Sequence, residues 1–165
     1  MDQKLLNEAL ALLESATPLH SDCGALCDSC CCKDNGEAGS GVWILPGEDD
    51  KSFFWGTVED SVMPVTDTPV KTLFCHDSCL RSLRPFMCRI FPLSPYWSAK
   101  QNAWSVRMDR RAAAICPLFA YGKKGLSPGF TARAAEAVRL LAADDEGLKW
   151  LKILEEEEAA YRITL

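Results

Sequence analysis

The sequence has no long apolar run and no recognisable export signal. No stretch approaches the roughly 18 consecutive apolar residues that a membrane-spanning helix needs. Asp2, Glu8 and Glu14 interrupt the first apolar stretch, whereas a secretory signal has a basic head, an unbroken apolar middle and a small-residue cleavage site. These absences argue against membrane association and predict a cytoplasmic protein, in a compartment where thiols stay reduced.

Familiar catalytic motifs are also missing. The chain has no glycine-rich phosphate loop, no Ser-His-Asp order and no carboxylate pair in a convincing context, and it has only two histidines. His76 follows Cys75 and could bind a metal or activate a thiol, but an ordinary loop histidine explains its position as well. The role of His20 is equally open. The sequence therefore predicts no reaction, and whether the protein is an enzyme stays undecided.

Acidic residues are scarce in one segment of this acidic protein. Residues 1–80 carry four Lys or Arg against 14 Asp or Glu, whereas residues 81–124 carry nine against the single Asp109. Such a basic segment could bind nucleic acid, but the net charge of −5 and the lack of interleaved aromatic residues disfavour it. Arginines that offset the charge of metal-bound thiolates are the alternative explanation.

Cysteine is abundant, and its pattern is the main functional signal. Five of the nine cysteines lie within residues 23–32. An odd number in a reducing compartment disfavours a disulfide framework, and packing as small hydrophobic residues explains only one or two cysteines. Short Cys spacings let loops bring several sulfurs to one metal ion, at about 2.3 Å for zinc. Thiolates select zinc, Cu(I) or iron–sulfur clusters over hard cations.

The second cysteine group consists of Cys75, Cys79, Cys88 and Cys116. Adjacent cysteines in the first group rarely bind one tetrahedral ion together, so they suggest two metals, a multinuclear cluster or one uncommitted thiol. Structural zinc suits scattered Cys pairs, whereas tight runs and a following Cys-Pro favour iron–sulfur clusters. We expect Zn²⁺, with an iron–sulfur cluster as the alternative.

Four sequence segments together resemble a known family. The run Cys27-Asp-Ser-Cys30-Cys31, the "LPGEDD" that follows, "RPFMCRIFP" at 84–92 and "CP" at 116–117 are similar to the YkgJ-type cysteine-cluster family, described as a zinc- or iron-chelating domain. The resemblance spans residues 23–117. It implies eight ligands, with no counterpart for Cys32: Cys23, Cys27, Cys30, Cys31, Cys75, Cys79, Cys88 and Cys116.

This chain departs from the family pattern in two places. The spacing from Cys23 to Cys27 is one residue longer, and "CHDSCLRSL" replaces the family's central cysteine segment. Related clusters occur in flagellin lysine N-methylases, so the resemblance also admits a modifying enzyme. The spacing Cys23-x3-Cys27-x2-Cys30 matches radical S-adenosylmethionine enzymes, but the chain is too short for their barrel.

The segment around Cys88 is suited to holding a thiolate. Pro85 and Pro92 restrict the backbone on either side, and Arg84 and Arg89 can donate to sulfur from a position behind the ligands. The alternative is a proline-bounded loop with solvent-facing arginines.

Hydrophobic periodicity predicts a small, irregular α+β domain over residues 1–165, with short β hairpins and metal-binding loops between terminal helices. Its parts are an N-terminal helix in 1–17, a cysteine-cluster core at 20–120 and a helical segment at 127–165. We expect a hairpin of strands 42–45 and 52–58, a loop at 59–70, strands at 71–74 and 103–108, a helix starting after Ser127, and a last helix capped by Asp144 or Asp145 with 155–158 as its solvated face.

The prediction from sequence is a metal-binding protein of unassigned role, in which two cysteine groups share one or two metal sites. Its partner is the metal ion, and a protein or small-molecule substrate stays unknown. An iron–sulfur-dependent modifying enzyme and a zinc-dependent nucleic-acid-binding module are the alternatives.

Overall fold

The computed structural model describes residues 1–21, 23–32, 41–49, 53–76 and 79–161, without the side chain of Cys32. Helices at both ends of the chain and two small antiparallel sheets confirm the predicted α+β class. The helices are α1 (Gln3–Leu13), α2 (Phe86–Ile90), α3 (Pro128–Leu141) and α4 (Asp145–Ala160). The strands are β1 (Val42–Ile44), β2 (Gly56–Val62), β3 (Pro69–Cys75), β4 (Leu93–Ser98) and β5 (Ala103–Met108). Short 3₁₀ helices cover Cys23–Leu26, Cys30–Cys32, Arg81–Leu83, Arg110–Ala114 and Pro117–Gly125.

Helix α1 forms where the sequence predicts it. The Asp2 carboxylate accepts hydrogen bonds from the backbone N–H groups of Lys4 (2.8 Å) and Leu5 (3.1 Å), which caps the first turn. Its apolar face packs mainly against α3. Each large aliphatic side chain on that face contributes about 1.5–3 kcal/mol by leaving water. The residues buried on this face are Leu6, Ala9, Leu10 and Leu13.

The first sheet has the order β1-β3-β2, and all its strands are antiparallel. The predicted hairpin between residues 42–45 and 52–58 is wrong, because β3 lies between the two strands; residues 50–52 fall outside the described ranges. The predicted loop at 59–70 is also wrong, since β2 continues to Val62 and β3 starts at Pro69. Pro69 is tolerated as the first residue of its strand, where no N–H is required.

The second sheet is the hairpin of β4 and β5, in which Trp97 lies opposite Trp104. Strand β5 confirms the predicted strand at 103–108. Strand β4 was not predicted, because Pro95 and the preceding Pro92 mask the extended pattern. A proline is allowed in β4 because a two-stranded sheet consists of edge strands.

Helices α3 and α4 follow the predicted start signals. Pro128 is the first residue of α3, and the Asp144 carboxylate caps α4 by accepting from the N–H of Gly147 at 2.9 Å. A Cβ on Gly147 would lie 2.1 Å from the carbonyl oxygen of Leu141, so only glycine permits this close approach of the two helices. One core cluster includes residues from α1 through α4. In the described ranges no helix combines the length and apolarity needed to cross a bilayer.

The solvated face predicted at residues 155–158 is wrong for Glu157 and Glu158, whereas Glu156 is exposed. Glu157 is 4 % exposed and accepts hydrogen bonds from the N–H groups of Val65 (3.0 Å) and Thr66 (2.7 Å) in the β2–β3 turn. Glu158 is fully buried and binds the side chain of Arg107 and the N–H of Arg110 (3.1 Å). Turns and strand ends leave backbone donors that need acceptors, and α4 supplies them from its C-terminal half.

Candidate metal centre

Seven cysteines from four separate chain segments line one cavity of about 150 Å³. The cavity is bounded by the two 3₁₀ helices after α1, the end of β3, helix α2 and the start of the Pro117–Gly125 helix. The convergence of both cysteine groups on one place is what a shared site requires. The cysteines on the cavity wall are Cys23, Cys27, Cys31, Cys75, Cys79, Cys88 and Cys116.

One cysteine implied by the family resemblance is not on this wall. Cys30 is described and half-buried, but it is absent from the residues that line the cavity. It follows Asp28 and Ser29, which both adopt positive φ values, 50° and 55°. The turn is closed by hydrogen bonds from the N–H of Ser29 to Gly24 (2.9 Å) and from the N–H of Cys30 to Cys27 (3.1 Å). This tight left-handed turn separates Cys27, which lines the cavity, from Cys30.

Helix α2 places Cys88, and a buried carboxylate fixes α2. Glu48 is fully buried and accepts from the N–H of Phe86 (2.9 Å) with one oxygen and from the N–H of Leu45 (3.2 Å) with the other. It therefore ties the start of α2 to the segment after β1. Glu48 belongs to the "LPGEDD" run, yet its positioning role was missed, because hydrogen bonding across 38 residues leaves no local pattern.

Arg84 lies beside a sulfur atom of the second cysteine group. Its Nε lies 3.1 Å from Sγ of Cys79, within hydrogen-bonding distance of sulfur. Both residues are on the cavity wall. A guanidinium in this position offsets negative charge on a thiolate, which is what a metal-binding sulfur carries.

Arg89 occupies a different place from the one predicted. Arg89 as a whole is 4 % exposed, and its guanidinium donates to the backbone carbonyls of Arg84 (2.8 Å), Leu10 (2.8 Å) and Ser82. The predicted bond to sulfur is thus replaced by bonds to carbonyls, which join α2 to α1 and to the Arg81–Leu83 helix. Burial lowers the pKa of Arg89, and the charges of Glu48 and other acidic groups oppose that shift.

Arg81 was not selected from the sequence, although it belongs to the basic segment. Its terminal nitrogen donates to the carbonyl oxygens of Leu13 (3.3 Å) and Ala16 at the end of α1, where helix carbonyls lack partners. Burial lowers the pKa of Arg81, while negative charge on Cys23 and Cys88 would raise it. A second cation is therefore fixed at the cavity wall.

The surroundings of the Cys116 thiol disfavour its ionisation. Burial raises its pKa, a charged Cys27 would raise it further, and the N–H groups of Leu118 and Phe119 act in the opposite direction. A bound cation is the strongest influence that favours a thiolate at such a site. Stable ionisation of Cys116 would therefore accompany metal binding.

The sulfurs surround a space and do not yet meet at a point. Over residues 1–21, 23–32, 41–49, 53–76 and 79–161, no group of three or more His, Cys, Asp or Glu side chains is arranged to hold a metal ion. No disulfide joins any two of the eight cysteines whose side chains are described. The donor chemistry fits a soft metal, since several sulfurs and two guanidiniums share one cavity. Closer approach of the sulfurs is needed before they can act as ligands.

The histidines contribute little to the cavity wall. His76 is exposed, and its Nε2 lies 2.8 Å from Oγ1 of Thr57. Its backbone N–H donates to the carbonyl of Trp55 at 2.9 Å, which secures the chain next to Cys75. Neither His76 nor His20 is among the described residues that line the cavity. The structure therefore gives His76 a local hydrogen bond without bringing it into the thiol cluster.

Comparison with protein-family models, with curated proteins and with solved structures found no match to this chain. Membership of the YkgJ-type family stays a prediction.

Proposed function

We propose that this chain is a metal-binding protein whose centre forms in the cysteine-lined cavity, with thiolates of both cysteine groups as ligands. The observation that carries the proposal is the meeting of seven cysteines from four chain segments at one cavity. Packing alone does not require so many sulfurs in one place. A bound metal would supply folding free energy by cross-linking these segments.

The number of sulfurs favours more than one metal atom. One tetrahedral zinc ion takes four ligands at about 2.3 Å, which would leave three of the seven cavity-lining cysteines unused. Two zinc ions with shared thiolates or an iron–sulfur cluster fit these features better. Two zinc ions would supply structural cross-links, and an iron–sulfur cluster would supply one-electron chemistry.

Ion pairs within the protein engage three arginines of the basic segment at 81–124 and disfavour nucleic-acid binding by them. Arg107 and Arg110 pair with Glu158, and Arg111 pairs with Asp109 and stacks on a tryptophan ring. These cations serve contacts within the protein and offer little positive charge to a phosphate backbone. The modifying-enzyme alternative and the cytoplasmic location stay predictions, since no described contact favours a particular substrate or compartment.

Elemental analysis and a visible absorption spectrum of protein purified without oxygen or chelator test the proposal. We expect more than one metal atom per chain. A brown protein with reducible absorbance would identify an iron–sulfur cluster, and a colourless protein with stoichiometric zinc would identify a zinc centre. Fully folded protein without zinc, iron or copper would overturn the proposal.

A further inference from the structure

Trp55 lies on the wall of the cysteine-lined cavity, and its indole carries a buried hydrogen-bond donor. Its side chain is 3 % exposed and forms part of the cavity wall. The ring is fixed by edge-to-face contacts with Phe53 (5.5 Å between centroids) and Phe54 (5.0 Å). The indole N–H is buried, and no acceptor for it occurs in the described part of the chain. A buried N–H of this kind normally has a partner.

The surroundings of Trp55 place it beside the second cysteine group. Trp55 packs in a small cluster with Ile44, Phe53 and Leu73, and Cys75 and Cys79 pack against that cluster. The following residue, Gly56, pairs with Cys75 between β2 and β3. A Cβ on Gly56 would lie 2.4 Å from the carbonyl oxygen of Phe74, so this close pairing depends on glycine. The position of the indole relative to these sulfurs is therefore set by the sheet.

Arg81 is a second residue of the cavity wall that carries a buried donor. Its Nε is buried without an acceptor among the described residues, while its terminal nitrogen is held by carbonyls of α1. The guanidinium is thus fixed, and it stands on the cavity wall. The other buried atoms without partners within the described ranges are Ser94 Oγ, Arg107 Nε and Thr131 Oγ1, and none of those residues lines this cavity.

We infer that the Trp55 indole N–H and the Arg81 Nε–H donate hydrogen bonds to sulfur of the bound centre, and that this tunes how tightly the metal is held. The inference rests on the proposed metal-binding function. The acceptors are metal-bound thiolates or, in an iron–sulfur cluster, inorganic sulfide. The Arg84–Cys79 contact, at 3.1 Å between Nε and Sγ, shows that a nitrogen donor already reaches a sulfur in this cavity.

The physical effect follows from the charge on sulfur. A hydrogen bond to a charged acceptor is stronger than one between neutral groups, so these donors favour the metal-bound thiolate over the neutral thiol. Such outer contacts alter metal affinity and, for iron–sulfur clusters, reduction potential. Trp55 and Arg81 are therefore positioning residues that act through the sulfurs.

The variant Trp55→Phe removes the indole N–H and keeps an aromatic ring. Trp104→Phe is the matched control, since Trp104 is 6 % exposed and lies outside the cavity wall. Zinc ion is added to metal-free protein, and its dissociation constant is measured by competition with a chelator. We expect Trp55→Phe to weaken zinc binding roughly tenfold, the usual range for one hydrogen bond to a charged group, and Trp104→Phe to leave it unchanged.

Stability measurements separate this role from simple packing. We expect Trp55→Phe to lower the free energy of unfolding more in the zinc-loaded protein than in the metal-free protein. The reason is that the metal-free protein has no indole hydrogen bond to lose. A zinc dissociation constant equal to that of the wild type, or an equal loss of stability with and without zinc, would overturn the inference. Wild-type protein that binds no zinc, iron or copper would instead overturn the proposed function. If Trp55→Phe does not fold, Arg81→Lys, which keeps the charge and removes Nε–H, carries the same test.

Discussion

The C-terminal helix α4 and the cysteine-lined cavity both bury polar groups, but they satisfy them in different ways. Glu157 and Glu158 of α4 are buried with their oxygens bound to backbone and side-chain donors of the protein itself. At the cavity, Trp55 and Arg81 hold buried N–H groups without acceptors in the described part of the chain. The two α4 carboxylates are therefore satisfied by donors of the protein itself, whereas we propose that the donors of Trp55 and Arg81 are satisfied by the sulfur of a bound metal centre.

The sharpest test of this contrast is removal of the metal. We expect a chelator to increase hydrogen exchange over residues 23–32 and 79–90 and to leave α3 and α4 protected. Structural zinc contributes on the order of 10 kcal/mol to the folding of small metal domains, so the effect should be large. Hydrogen-exchange mass spectrometry before and after chelation measures it. Equal loss of protection in α4 would show that the two regions are not separate in stability.

Single cysteine substitutions test which sulfurs belong to the centre. Cys88 lines the cavity and Cys30 does not, although the family resemblance includes both. We expect Cys88→Ser to weaken metal binding beyond the roughly 10- to 100-fold typical of outer contacts. Cys30→Ser should retain the metal, and elemental analysis of both purified variants decides this. Loss of metal in Cys30→Ser would favour the ligand set implied by the resemblance over the cavity wall.

Substitution in α4 should affect stability without affecting the metal. Glu158→Gln removes the charge that pairs with the partly exposed Arg107, and loss of a buried hydrogen-bond partner costs about 1–3 kcal/mol. Chemical denaturation measures the loss, and metal analysis should give the wild-type content. Glu156→Gln is the control, because Glu156 is exposed and its change should stay within about 0.5 kcal/mol. Metal loss in Glu158→Gln alone would contradict the separation of the two regions.

The contact between Arg84 and Cys79 should have a smaller effect on the metal-loaded protein. Arg84→Gln removes the charge and the Nε donor at 3.1 Å from sulfur. We expect a loss of about 1 kcal/mol in metal-loaded stability, the usual value of one hydrogen bond. Thermal unfolding with and without metal measures it, and Arg133→Gln provides a control at an exposed arginine that does not line the cavity. An equal loss of stability in Arg84→Gln and Arg133→Gln would show that Arg84 does not belong to the metal site.

The smallest expected effect concerns the pH dependence of the metal-free protein. Burial raises the pKa of Cys116 above its ordinary value of 9.0, so the folded state favours the neutral thiol. The resulting stabilisation is fully present below that ordinary value and is lost as pH rises through the raised pKa. The denaturation midpoint should therefore decrease as the pH rises above 9.0, and this decrease should be smaller in Cys116→Ser. If the denaturation midpoint of Cys116→Ser falls with pH as steeply as that of the wild type, other groups cause the pH dependence.

The sequence made some elements predictable because their signals are local. The Asp2 cap, the Leu stripe of α1 and the Ser127-Pro128 start of α3 each depend on residues within one or two turns. The β1–β2 hairpin failed as a prediction because strand order depends on which partner covers β1, and β3 lies farther along the chain. The buried glutamates of α4 were missed for a similar reason: their donors are 48 to 92 residues away.

The sequence by itself determined the α+β class, the terminal helices and the presence of two cysteine groups with spacings typical of metal ligands. Only the tertiary structure decided that seven of these cysteines share one cavity, that Cys30 lies off its wall, and that Trp55 and Arg81 stand beside it. The spacing of cysteines in the sequence limits the distance between sulfur atoms within one loop, because the chain between them is short. Residues such as Cys27 and Cys116 are brought together by packing, which local sequence does not encode.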